Sequence, residues 1–241
     1  MNKYKYLITA ILSSFLITAQ AQQNNGVAFS PLKIDFKSTE QAEQITITNN
    51  SNEQKIYQIE LFEWKQNEGK DSLKKTKNII ASPLMLKVEP KKKQIVRLGT
   101  KDLNLTNQEQ SYRIIFNQIP LNHKKGVQVL TNISIPIFIQ TKVDSDIKNL
   151  NSYIDLKPRS QNGKLINLSI NNKFAEHIKI ISSKIIQQNK VLNEKKSLHY
   201  VLPNNSTDYA LNNVPIVKNI PVQIELELEG YENVKKQFII K

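Results

Sequence analysis

The residues able to do chemistry in this chain are not catalytic ones. Its three histidines, His123, His177 and His199, lie far apart without ligand-like spacing, so no metal site is expected. Six glycines form no phosphate-cradling loop, no Gly-x-Ser-x-Gly elbow is present, and without cysteine there is no Cys/His nucleophile. Neither enzyme activity nor a cofactor is expected. What remains is the chemistry of the backbone. In Gly126 to Gln140 (GVQVLTNISIPIFIQ), every second residue is apolar or β-branched: Val127, Val129, Thr131, Ile133, Ile135, Ile137 and Ile139. Successive side chains of a strand point to opposite faces, so the alternation predicts one continuous apolar stripe on a long strand. The run exceeds the usual strand of about five or six residues. Pro136 cannot donate to a ladder, which predicts an edge or a change of sheet there. Three readings are open: a buried sandwich strand, a strand passing between sheets, or a stripe lent to a partner by strand addition.

The elements that must position this stripe are also strands. Val27 to Phe36 is broken by Pro31, and Gln44 to Thr48 runs into the turn cluster Asn49-Asn50-Ser51-Asn52. Lys55 to Lys65 puts Tyr57, Ile59 and Leu61 on one face and Ile56, Phe62 and Trp64 on the other. Leu84 to Val88, Gln94 to Leu98 and Ser111 to Ile119 follow, which makes about seven strands by Gln140 at sandwich-like spacing. Residues 141–152 are polar and charged and read as a linker. A second series spans Tyr153 to Leu156, Leu165 to Asn171, Ile178 to Gln187, Leu198 to Leu202, Asp208 to Leu211, Val222 to Leu228 and Val234 to Ile240. A turn is expected from Asn189 to Asn193. The segment HIKIISSKIIQQ has helical apolar spacing, but its β-branched content favours a strand.

The first 21 residues read as a secretory signal peptide. Lys3 and Lys5 precede an apolar run, and Ala19-Gln20-Ala21 is a small-x-small cleavage site, so the mature chain is expected to begin at Gln22. The run is shorter than the roughly 20 residues of a membrane span, and no stable membrane insertion is expected after cleavage. An exported chain without cysteine has no disulfide framework, so its cores must come from size. The net charge of +13 comes from 31 Lys against 3 Arg. No basic patch is interleaved with aromatics, so nucleic acid is not an expected partner.

Taken in order, the segments VAFSPLKIDF, FEWKQ, ASPLMLKVEPKKKQIVRL, SYRIIFNQIP and GVQVLTNISIPIFI resemble the periplasmic chaperones of the chaperone–usher pathway, which assemble pili and fimbriae. GKLINLSINNK, HIKIISSKII and LHYVLPNNSTDYAL resemble their second domain, and the SIPIFI ending is closer in pattern to the archaic branch. The resemblance implies an all-β protein of two immunoglobulin-like sandwiches in tandem, set at an angle: 22–140 as the chaperone domain carrying the donor strand, 141–152 as linker, and 153–241 as the second domain. It implies a periplasmic location, pilus subunits as partners and delivery to an outer-membrane usher. Such a chaperone completes a subunit lacking its last strand with its own strand. By position, Val127, Val129, Thr131 and Ile133 are the implied donor side chains, while Ile135 to Ile139 pass into the chaperone's core. Four such side chains contribute about 6–12 kcal/mol gross, at roughly 1.5–3 each, before ordering costs.

The resemblance also implies a basic pair that grips the subunit's terminal carboxylate. Lys33 matches the first member. Ser134 stands where the second is usually a Lys, so Arg97 and Arg113 are the replacement candidates, arginine being suited to bidentate carboxylate binding. The rival from another class is a secreted two-sandwich binding module, an adhesin or carbohydrate binder. Such modules carry aromatics on loops, whereas the only Trp, Trp64, lies in a strand pattern.

Overall fold

The computed structural model describes residues 26–37, 41–67, 69–101, 106–121, 129–140 and 149–241. The expected signal segment, His123 and Val127 lie outside them. The first half holds ten strands: β1 (Val27–Ser30), β2 (Ile34–Phe36), β3 (Ala42–Asn49), β4 (Lys55–Asn67), β5 (Lys70–Lys75), β6 (Ile79–Ser82), β7 (Met85–Val88), β8 (Lys93–Thr100), β9 (Gln110–Ile119) and β10 (Asn132–Ile139). They form one sheet in the order β1-β3-β8-β6 and another in the order β2-β10-β9-β4-β5, with β7 also paired to β4. Alternation buries one face of each sheet against the other. Ile45, Ile47, Val96 and Leu98 pack against Tyr57, Ile59, Ile114, Phe116, Ile135 and Ile137 in a single core.

Each edge of this sandwich is crossed by a strand that changes sheets at a Ser-Pro-Leu triplet. β1 gives way to β2 across Ser30-Pro31-Leu32, and β6 gives way to β7 across Ser82-Pro83-Leu84. Both Ser-Pro bonds are cis. A proline removes one ladder donor, so pairing stops where the chain leaves its sheet.

The second half begins with one helical turn, α1 (Leu150–Tyr153). It continues through β11 (Ile154–Gln161), β12 (Lys164–Asn172), β13 (Ile178–Gln187), β14 (Lys190–Val201), β15 (Asn205–Pro215), β16 (Pro221–Leu228) and β17 (Val234–Ile239). Sheets β11-β12-β15 and β14-β13-β16-β17 enclose a separate core of Leu165, Leu168, Ile170, Ile180, Ile224 and their neighbours. The chain is therefore all-β, with two immunoglobulin-like sandwiches in tandem.

Several element boundaries differ from the sequence reading. β5 was not expected because all six of its residues are exposed and carry no alternation. The turn expected over Asn189 to Asn193 is confined to Gln188 and Asn189, both at positive φ, and β14 begins at Lys190. β14 is an edge strand with only Val201 fully buried, so its apolar residues keep no regular alternation. α1 replaces the start of the strand expected at Tyr153 and buries Leu150.

Each sandwich is locked by a buried asparagine at the end of a strand. Asn49 Nδ2 donates to the carbonyls of Glu53, Val88 and Glu89 at 2.7, 3.1 and 3.2 Å, while its Oδ1 accepts from the Ser51 backbone N–H and hydroxyl. Asn172 repeats the arrangement. Its Nδ2 donates to the carbonyls of Glu176, Val201 and Leu202 at 2.9, 3.0 and 3.2 Å, and its Oδ1 accepts from Phe174 N–H. An amide can serve several backbone groups at once, so one residue satisfies a corner that no ladder reaches.

Candidate functional site

The apolar stripe runs out of the core along its own length. Ile135, Ile137 and Ile139 are fully buried, Ile133 is half-buried against the first core, Thr131 is exposed, and Val129 is 88% exposed. β10 pairs antiparallel with β9 along its whole length, but β2 joins its other side only from Ile137 to Ile139. Among the described residues, Asn132 to Pro136 therefore present an unpaired edge. The edge expected at Pro136 is present, and there β10 changes from a one-sided to a two-sided strand. Val129 and Leu130 are not in a strand; Thr131 N–H is held by Gln118 Oε1 at 3.2 Å. Beside them, Val27, Phe29, Tyr57, Val129, Thr131 and Ile133 line an open cavity of about 320 Å³. An apolar rim next to free backbone groups is what an added strand requires.

The outward face of the same sheet carries the basic residues. Pro136 lies opposite Arg113 across the β10–β9 pair, and Ile137 lies opposite Ile34 across the β10–β2 pair, so Lys33 and Arg113 flank β10 on neighbouring strands. Lys33 Nζ is 2.9 Å from Asp35 Oδ2. The Arg113 guanidinium lies 3.7 Å over the Trp64 ring and donates through Nη1 to Ser134 Oγ at 3.5 Å. It thus reaches the position where the expected second anchor is missing. Burial pushes the Arg113 pKa below the usual arginine range, against the opposing pull of Asp71 and Tyr200. Arginine nevertheless stays charged. Among the described residues no carboxylate pairs with it, so a half-buried cation retains most of its donors. Arg97 sits elsewhere: it is exposed on β8, in the other sheet, opposite Gln44 and Ser82. The structure sets Arg113 against Ser134, places Lys33 on the other flank of β10, and leaves Arg97 apart.

The cleft is closed by a joint between the sandwiches. Trp64 and Phe138 from the first pack on Leu202 and Tyr200 from the second. The Gln66 amide crosses the joint twice, donating to Tyr200 O at 3.0 Å and accepting from Leu202 N–H at 2.9 Å. The Glu109 carboxylate accepts from His177 N–H at 3.2 Å and pairs with its Nδ1 at 2.8 Å, both side chains being buried. Burial raises the Glu109 pKa against the lowering effect of His177. His177 also stacks flat on Phe138, with ring centres 3.7 Å apart.

Sequence reasoning expected surface or half-buried histidines. His199 fits, half-buried with Nε2 3.0 Å from Thr207 Oγ1. His177 is instead a buried part of the joint. The available signal was Trp64 and Phe138: both are large aromatics on the outward side of alternating strands, where a solvated face would be polar.

Comparison with known proteins places this geometry. Among curated protein sequences none matches the chain significantly. Solved structures do. One match is in the crystal structure of the CsuC–CsuE chaperone–tip adhesion subunit pre-assembly complex from archaic chaperone–usher Csu pili of Acinetobacter baumannii. It has a TM-score of 0.66 and 21% identity, over 89% of this chain and 99% of that one. The E. coli chaperone DraB matches with a TM-score of 0.59 and 15% identity, over 90% and 97% of the two chains. The Salmonella enterica SafA pilin–SafB chaperone complex matches at 0.59 and 11%, over 89% and 96%. At these identities the likeness is one of fold, and it extends over both sandwiches. The family model of the pili and flagellar-assembly chaperones, PapD N-terminal domain, matches residues 26–142, so the first sandwich of this chain belongs to that family.

Proposed function

We propose that this protein is a periplasmic chaperone that captures pilus subunits by donor-strand complementation and passes them to an outer-membrane usher. In this reading the mature chain starts at Gln22, residues 22–140 form the capturing domain, 141–152 the linker and 153–241 the second domain. Val127, Val129, Thr131 and Ile133 enter the groove of a subunit that lacks a strand. Ile135, Ile137 and Ile139 anchor the same strand in the chaperone's core. Lys33 and Arg113 hold the subunit's terminal carboxylate and fix the register. Arg97 faces away from this site and is the weakest of the three anchor candidates.

The observation that carries the reading is the gradient of burial along one alternating stripe, from fully buried at Ile139 to 88% exposed at Val129. A strand that served only its own core would bury the whole stripe. The test compares Val129→Asp with Leu130→Asp, two neighbours that are both exposed in the free protein. Co-purification of a pilus subunit is expected to collapse for Val129→Asp, which puts an unpaired charge in the groove. It should largely survive Leu130→Asp. Melting curves should match the parent in both. Equal losses of capture would refute the donor assignment, and a reversed order would place the register one residue off.

A further inference from the structure

We propose that the carboxylate seat in the cleft is completed by the second sandwich, through Lys179 and the Tyr200 hydroxyl, so that a bound chain terminus ties the two sandwiches together. This rests on the reading of the cleft as the anchor for a subunit carboxylate. Cations from both sandwiches converge on one ring. Arg113 Cζ lies 5.9 Å and Lys179 Nζ 5.5 Å from the centre of Tyr200. Lys179 and Tyr200 are direct cross-strand partners on β13 and β14. Tyr200 stands edge-on to Trp64, whose face carries the Arg113 guanidinium.

The charges in this box do not cancel. Lys179 pairs with Glu229 at 2.7 Å, inside its own sandwich, whereas among the described residues Arg113 makes no salt bridge: it lies over Trp64, touches Ser134 at 3.5 Å and feels Asp71 only at longer range. Of the two cations only Lys179 has a salt-bridge partner among the described residues, so an entering carboxylate finds Arg113 without one. Arg113 offers a planar fork of N–H donors, Lys179 a mobile ammonium and Tyr200 a neutral hydroxyl donor. A carboxylate accepting from groups on both sides of the joint makes capture sensitive to the angle between the sandwiches. A seat built from the first sandwich alone has no such dependence.

The test uses the intact mature protein and a peptide copy of the C-terminus of the subunit it captures, made as the free acid and as the amide. The ratio of the two affinities isolates the carboxylate. Lys179→Met is expected to lower that ratio roughly twofold to fivefold, a partly screened charge pair being worth about that much. Tyr200→Phe should lower it less. Glu229→Gln should raise it, because removing the counter-charge frees Lys179. If Lys179 matters only as the structural partner of Glu229, Lys179→Met and Glu229→Gln change the ratio in the same direction, and the proposal is overturned. Unchanged ratios in all three variants overturn it as well and leave the wider reading intact. A parent protein that binds acid and amide equally removes the carboxylate seat, and this inference with it.

Discussion

Arg113 is the residue at which the reading of the cleft is most exposed to experiment. Arg113→Met removes the charge but keeps an unbranched stem able to lie on Trp64. Three effects act on the free protein. Loss of the cation–π contact at 3.7 Å costs about 0.5–2 kcal/mol. Loss of the contact to Ser134 costs little, since 3.5 Å is at the limit of a hydrogen bond. Release of a half-buried, unpaired cation works the other way, as the downward push on its pKa indicates. The net change in stability is expected to stay within about 1 kcal/mol, or roughly 2–4 °C in Tm for a chain of this size. Capture is different. A guanidinium–carboxylate contact contributes about 1.5–3 kcal/mol, which at 1.4 kcal/mol per tenfold is a loss of roughly tenfold to a hundredfold in affinity. Thermal melting of the free protein and calorimetric titration with the subunit peptide read the two quantities separately. Arg113→Lys should fall between parent and Arg113→Met, because a point charge replaces a fork. A large drop in Tm with unchanged peptide affinity would refute the assignment and make Arg113 a packing residue of the joint.

Other expectations follow from the same geometry. Asp35→Asn should strengthen capture by up to about fivefold by freeing Lys33 from its 2.9 Å pair, and Lys33→Ala should weaken it; if both weaken it equally in titrations, Lys33 is not an anchor. Asn49→Ala and Asn172→Ala should each destabilise the protein by about 2–4 kcal/mol in denaturant melts, because several buried carbonyls lose their donor together; a loss below about 1 kcal/mol would mean that water replaces the amide. Burial raises the Glu109 pKa, so its ionisation is disfavoured in the folded state. Stability linked to this group is present below the ordinary carboxyl range and is lost as pH rises through the raised value. The Tm of Glu109→Gln should therefore gain on that of the parent as pH rises above the ordinary carboxyl range. A shift in the parent's favour would show that the pairing with His177 outweighs burial.

Much of the fold was legible because burial in a sandwich imposes a period of two. β16 alternates cleanly, β4, β9 and β13 do so over most of their length, and each appears close to its expected bounds. The failures differ in kind: β6, four residues with Ile79 and Ala81 buried, was too short to stand out. β5 is exposed throughout, and without a buried face nothing in the side chains records the strand; β14 is an edge strand with only Val201 fully buried, so its first half carries little signal. The stripe on β10 was visible for the same reason as the core, but the point where it leaves the core was not. That point depends on β2 ending its pairing at Ile137, a long-range fact. The joint was the least legible part. Gln66, Glu109 and His177 are ordinary polar residues in sequence, and the bonds that make them a joint reach across to the other sandwich. Lys33 was identifiable by its place beside Ile34, whereas Arg113 depended on being one of the chain's 3 arginines.

The paired asparagine corners bear on how the chain could be taken apart and rebuilt. Every bond made by Asn49 stays within the first sandwich, and every bond made by Asn172 stays within the second. Each block therefore carries its own fastening, separate from the side chains that join the blocks. A graft that exchanges the second sandwich for that of a relative has few obligations at the seam. It must supply a surface for Trp64 and Phe138, a backbone edge for Gln66, and a donor for Glu109. The folding of either block and the angle between them are separable engineering problems in this molecule.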